Sequence, residues 1–278
     1  MENTLELTLQ VNEDYQDIII ADLFELGFAG FEQHSEIMKA FVEEDIFNTI
    51  PTQVLEDILD SFGGISIIKE KKVHVPKNWN EEFEKSIQPI QVGRFYIRPT
   101  WAESDCPSNA IELLIDPKMS FGTGYHETTR LMLNSISTYI QKDDELLDVG
   151  TGTGILAIAA IKLGANYAFG FDIDEWSSEN SLENIQLNKV EKSVEIKHGA
   201  FETVPDKEFD ITIANINRST ILSVKEDILK HTKKGGFILL SGLLTTETHR
   251  IKEDELFSGI SLIKEISEGD WSGLIYKK

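Results

Sequence analysis

Apolar and polar positions follow one rhythm up to about residue 75 and another from about residue 93. Residues 4–11, Thr-Leu-Glu-Leu-Thr-Leu-Gln-Val, alternate with period two and predict a half-buried strand. Tyr15, Ile18, Ile19, Leu23 and Leu26 then recur at helical spacing, with Gly27 placed to end the helix. Two short strands are expected near 29–35 and 37–44. Val54, Leu55, Ile58, Leu59 and Phe62 mark a second helix, opened by Pro51 and stopped at Gly63-Gly64. Ile65 to His74 reads as another strand. The order βαββαβ predicts a small ferredoxin-like α+β domain over residues 1–75. Residues 76–92 read as a linker, charged and helical in part, with Trp79 as a packing anchor.

From residue 93 strands and helices alternate. Strands are predicted at 94–98, 111–115, 145–149, 167–171, 194–197, 209–214 and 237–241. Helices are predicted at 126–140, 154–163, 175–187, 219–231 and 247–257. Strand-like 261–266 and 272–276 flank Gly269-Asp270, a hairpin signal. The α/β alternation predicts a mainly parallel sheet covered on both faces, a Rossmann-like domain spanning 93–278.

Composition narrows the functional classes. The chain of 278 residues carries 26 basic and 48 acidic side chains, a formal charge of −22. A field of that sign repels a phosphate backbone, so no direct nucleic-acid partner is expected. The charge is uneven: residues 1–75 hold 4 Lys/Arg against 16 Asp/Glu, a net of −12. That face suits either solubility or docking of a basic protein. No apolar run approaches the roughly 20 residues that span a bilayer, and the first residues lack a signal-peptide pattern. The single cysteine, Cys106, excludes an intrachain disulfide. A cytoplasmic location without membrane partners is the expectation.

The chemistry concentrates at predicted strand ends. Glu145-Leu-Leu-Asp-Val is followed by Gly150-Thr-Gly-Thr-Gly and then by the helical Ile155-Leu-Ala-Ile-Ala-Ala-Ile. So tight a strand-to-helix turn needs residues without Cβ, and Gly150 and Gly152 are its candidate cofactor contacts. The dinucleotide fingerprint G-x-G-x-x-G fails at its third member, because Ile155 stands there. There is no pyrophosphate cradle and no Gly-Lys-Ser/Thr. An S-adenosylmethionine site fits the spacing better. Asp172 ends the next predicted strand, where a carboxylate can accept from both ribose hydroxyls. Asp174 suits a helix N-cap. Phe209-Asp-Ile-Thr-Ile-Ala-Asn215-Ile216-Asn217 places an amide at the carboxyl edge of the sheet, able to orient an incoming amine.

Upstream, Asp116-Pro-Lys-Met-Ser-Phe-Gly-Thr-Gly-Tyr-His-Glu-Thr-Thr129 precedes a helix and is placed to cap it and fold over a cofactor. The six histidines are scattered and suggest no metal site. No nucleophilic elbow of the form G-x-S-x-G occurs.

This upstream segment, the loop Asp148-Val-Gly-Thr-Gly-Thr-Gly, Gly170-Phe-Asp-Ile-Asp and Ala214-Asn-Ile together resemble the bacterial methyltransferases of ribosomal large-subunit protein eleven. The resemblance covers nearly the whole chain. It implies a class I S-adenosylmethionine-dependent domain preceded by a substrate-recognition domain, with cofactor contacts at Thr129, Gly150, Asp172 and Asn215. It also implies methylation of lysine side chains, and of the N-terminal amine, of ribosomal protein L11, a basic substrate. Thr151 stands where the family commonly has Cys, and Asn217-Arg218 replaces a more apolar stretch. Three other readings stay open: methylation of glutamine or nucleic-acid amino groups, a nicotinamide oxidoreductase, and a non-catalytic interaction protein.

Overall fold

The computed structural model describes residues 3–60, 67–74, 87–118 and 120–278. Contacts divide the chain into two compact units, Met1–Trp79 and Asn80–Lys278. Trp79 and positions 76–86 of the expected linker lie outside the described residues, as do Phe62, Gly63-Gly64 and the first two positions of the strand expected over 65–74.

In the first unit the alternating stretch forms β1 (Thr4–Gln10), and the helical stretch forms α1 (Glu13–Glu25). There follow β2 (Gly30–Gln33), β3 (Ile37–Glu43), α2 (Glu44–Phe47), α3 (Thr52–Asp60) and β4 (Ile67–His74). The strands pair antiparallel in the order β2-β3-β1-β4. Period-two alternation is why Leu5, Leu7 and Leu9 all fall on one face, where Ile19 and Leu23 of α1 and Leu55 and Leu59 of α3 cover them. Ile18, expected on the same face of α1, is instead 51% exposed. Gly27 ends α1 with φ +94°. The Phe28 N–H donates to Leu23 O at 3.1 Å and the Gly27 N–H to Phe24 O at 3.0 Å, a Schellman closure that only a left-handed residue completes without strain. The one-turn α2 has no counterpart in the sequence reading.

The second unit begins with β5 (Ile90–Val92), β6 (Phe95–Arg98) and β7 (Ile111–Leu114), a three-stranded sheet. So the tail of the expected linker is a strand, and Ile87 before it is buried. Then come α4 (Glu127–Tyr139), β8 (Glu145–Val149), α5 (Ile155–Leu163), β9 (Tyr167–Asp172), α6 (Glu175–Leu187), β10 (Val194–His198) and β11 (Phe209–Asn215). The chain continues through α7 (Arg218–Ser223), α8 (Lys225–Lys230), β12 (Thr232–Leu244), α9 (Thr248–Lys252), α10 (Glu255–Ser258), β13 (Ser261–Glu268) and β14 (Trp271–Lys277). These strands form one seven-stranded sheet, β10-β9-β8-β11-β12-β14-β13, parallel except for β14, which runs antiparallel to both neighbours. Leu146 belongs to one core cluster and Leu147 to the other, so both faces of the sheet are buried.

Two expected helices are each divided. The stretch 219–231 bends at Val224 (φ −112°, ψ 13°), which leaves helical geometry between α7 and α8. The stretch 247–257 restarts at Asp254, whose side chain accepts from the Leu256 N–H at 3.0 Å and caps α10. A short acidic side chain that bonds its own main chain competes with continuous helix, and apolar spacing does not register it. The hairpin signal at Gly269-Asp270 closes β13 onto β14, with Glu268 facing Trp271 and φ +57° at Gly269.

Candidate active site

Register explains how distant residues meet. Val149 at the end of β8 lies beside Phe171 of β9 and beside Ala214 of β11. The next residues along these three parallel strands are Gly150, Asp172 and Asn215. After β8 the chain winds first toward β9 and β10, then crosses back to β11, so this edge is the switch point where open α/β sheets hold ligands. A cavity of about 490 Å³ opens there, and Gly150, Gly152, Asp172 and Asn215 line it.

The glycine loop is built as its composition requires. Gly150, Gly152 and Gly154 have φ of +72°, +55° and +80°. A Cβ on Gly152 would stand 2.3 Å from the Phe121 carbonyl oxygen, closer than any side chain tolerates. That carbonyl accepts the Thr153 N–H at 2.9 Å, and Thr153 Oγ1 donates to Gly122 O at 2.8 Å. The upstream segment is thus laced onto the loop.

Asp172 is tied to the same turn. Its Oδ2 accepts the Gly152 N–H at 2.9 Å and its Oδ1 accepts the Asp174 N–H at 3.1 Å. A carboxylate oxygen can accept more than one hydrogen bond, so both keep capacity for a diol. Asp174 caps α6, accepting the Ser177 N–H at 3.1 Å. Behind the loop, Asp148 is 1% exposed, and burial pushes its carboxyl up to about 7. Thr151 Oγ1 donates to Asp148 Oδ2 at 2.8 Å and opposes that rise, while the nearby Asp172 charge adds to it. Thr151 therefore serves the buried carboxyl, not the cavity.

Asn215 is half-buried, yet its Oδ1 is fully shielded from solvent and has no partner among the described residues. A buried acceptor left open costs about 1–3 kcal/mol and points to a ligand donor. Thr129 lies deeper: it is 0% exposed, its Oγ1 is also unpartnered, and it is Thr128, one position earlier on α4, that lines the cavity. Neighbouring helical residues differ in direction by about 100°, which separates the two.

His126 is the N-cap of α4. Its Nδ1 accepts the Thr128 N–H at 3.3 Å. Its ring stands edge-on between Phe121 and Trp271, with centroids 5.2 and 4.8 Å away, and all three rings line the cavity. Phe201, which also lines the cavity, stacks on His231 and meets Phe171 edge-on. Among the described residues no group of carboxylates, histidines or cysteines could hold a metal ion. No helix among them is long and apolar enough to cross a membrane.

The sequence from residue 6 to residue 278 matches the family model described as ribosomal protein L11 methyltransferase (PrmA). The chain belongs to this family. Relatives named ribosomal protein L11 methyltransferase include that of a Nitratiruptor species, 38% identical over 84% of this chain and 81% of the relative, and that of Porphyromonas gingivalis, 35% identical over 97% and 92%. The crystal structure of ribosomal protein L11 methylase from Lactobacillus delbrueckii subsp. bulgaricus superposes with a TM-score of 0.62, at 28% identity over 68% of this chain and 98% of that one.

The family's methyl donor is S-adenosylmethionine, and the cavity's chemistry fits it. The spare acceptor capacity of Asp172 suits ribose hydroxyls, and the orphaned Asn215 Oδ1 suits an ammonium or amine donor. The sequence reading missed Phe201, Gly242 and Trp271, which line the same cavity. Gly242 carried a usable signal: a glycine inside the apolar run Phe237–Leu244 marks a close backbone approach. A Cβ there would stand 2.3 Å from Ile216 O.

Proposed function

We propose that this chain transfers methyl groups from S-adenosylmethionine to amino groups of ribosomal protein L11, lysine side chains and the N-terminal amine among them. The observation that carries the reading is the shielded, partnerless Asn215 Oδ1 in a cavity shared with the glycine loop and Asp172. The cofactor, when bound, supplies an electrophilic methyl on a sulfonium. The chain's own residues bind and orient. Asp172 accepts from the ribose hydroxyls, the turn at Gly150 and Gly152 admits the cofactor to main-chain distance, and Asn215 completes its contacts. Asn215 Oδ1 accepts an N–H of the neutral acceptor amine and leaves the nitrogen lone pair directed at the methyl. Alignment of this kind contributes several kcal/mol.

An exposed lysine amine holds its proton up to about pH 10.4. Entry into a cavity walled by Phe121, Trp271 and Phe201 disfavours the charged form and releases the proton to solvent. Asp172 is already engaged by two main-chain donors, so the chain acts by desolvation and orientation. Phe121, in the cavity wall, is the residue assigned to cation–π contact with the sulfonium. In this reading residues 1–75, with their net charge of −12, recognise the basic protein. The protein works in the cytoplasm and needs no nucleic-acid contact of its own.

The test is Asn215→Ala with purified L11 as acceptor and the modified amines located by mass spectrometry. Transfer should fall by about tenfold or more, the scale of one lost orienting hydrogen bond to a reacting group. Unchanged transfer would contradict the role given to Asn215, and label on side chains other than amines would contradict the acceptor class.

A further inference from the structure

Asn217 caps α7 and has no part in the chemistry assigned to Asp172 and Asn215. It is exposed to solvent at the rim and lines the same cavity as Asn215. Its Oδ1 accepts the Thr220 N–H at 2.9 Å, the Ser219 hydroxyl at 2.6 Å and the Thr220 hydroxyl at 3.0 Å. A main-chain N–H can only donate, so these bonds fix which end of the amide is oxygen. The Nδ2 end, with two donors, has no partner among the described residues.

The loop that carries it is held from two sides. Ile216 packs its main chain against Gly242, where no side chain would fit, and the Arg218 guanidinium pairs with Glu247. Asn215 and Asn217 thus present complementary groups two residues apart on one fixed loop: a buried acceptor and an oriented donor. A reacting amine satisfies the acceptor. It offers nothing to an N–H donor, because its lone pair must face the methyl. What the donor fits is a carbonyl oxygen.

We propose that Asn217 is a specificity-determining residue whose Nδ2 donates to a main-chain carbonyl oxygen of the acceptor protein, anchoring the peptide beside the reacting amine. The inference rests on the reading that a protein amine is the acceptor. Asn217→Ser tests it, because serine also caps a helix while lacking the donor. Asn217→Asp is the second variant, retaining the cap geometry with no N–H. Steady-state kinetics with L11 should show KM for the acceptor raised by about three- to tenfold in the serine variant, the scale of one neutral hydrogen bond. Cofactor affinity by calorimetry and the melting temperature should stay near wild type.

An unchanged acceptor KM in both folded variants would overturn the proposal. So would a loss confined to cofactor binding, since the donor would then serve the cofactor. A wild-type enzyme that binds the cofactor yet leaves L11 unmodified would instead sink the acceptor reading beneath it.

Discussion

The carbonyl oxygen of Phe121 sits 2.3 Å from the point where a Cβ on Gly152 would project, and the same oxygen accepts the Thr153 N–H at 2.9 Å. The glycine is therefore demanded by a neighbouring main chain as well as by its φ of +55°. Gly152→Ala should lower stability by about 1–3 kcal/mol and weaken the cofactor by at least about tenfold. Gly235→Ala is the control, since Gly235 also has positive φ (+82°) but open space around it. Thermal melts of both variants decide the matter: equal losses would mean that the Phe121 contact adds nothing.

Asp172→Ala should weaken S-adenosylmethionine by roughly 1.5–3 kcal/mol, the scale of hydrogen bonds to a charged group. Asp172 also has a structural duty, since it accepts hydrogen bonds from the Gly152 and Asp174 N–H groups. Some loss of stability, about 1 kcal/mol, is expected as well. Calorimetry alongside a melt separates the two effects. Undiminished cofactor affinity would make Asp172 purely structural.

Asp148 gives a pH signature. Burial raises its folded pKa from 3.8 to about 7, so the native state holds its proton where the unfolded chain has released it. Stability from this group is complete below pH 3.8 and is lost as pH rises toward 7. The interval sets an upper bound of roughly 4 kcal/mol. Asp148→Asn keeps an acceptor for Thr151 and has no such titration. Melting temperatures of the two proteins should diverge between pH 4 and 7, the variant gaining on the wild type. Parallel curves would show that Asp148 is ionised throughout.

The legible part of this molecule is what local pattern controls. The alternation of Leu5, Leu7 and Leu9, the glycine turn at 150–154 and the strand-end positions of Asp172 and Asn215 could all be read from spacing. What spacing does not carry is adjacency across the sheet. Trp271 meets His126 because β14 inserts antiparallel between β12 and β13, and Phe201 arrives from the connection after β10. Asn180, Asn184 and Asn188 are a related case. At intervals of four along α6 and its C-cap they bond the main chain of Asp116, Thr153 and Leu114, yet a buried polar stripe resembles a solvated face in sequence.

Separate cores predict separable roles. Leu5, Leu7 and Leu9 close a cluster of their own, whereas every proposed cofactor contact lies between Phe121 and Asn215. Removing residues 1–75 should leave a folded protein that binds S-adenosylmethionine at near wild-type affinity and has lost most transfer to its protein acceptor. Acceptor binding by the full chain should also weaken with salt, because exposed charges are screened over about 8–10 Å. Full transfer by the shortened chain would reduce the acidity of the first unit to solubility alone.

The most direct measurement is to incubate the full chain with methyl-labelled S-adenosylmethionine and a mixture of ribosomal proteins and ribosomal RNA, then identify what carries the label. Label should appear on ribosomal protein L11, at amino groups, and should fall by about tenfold or more at subsaturating cofactor when Asp172 is replaced by Ala. Label on RNA, on another ribosomal protein in preference to L11, or on nothing despite measurable cofactor binding, would contradict the account.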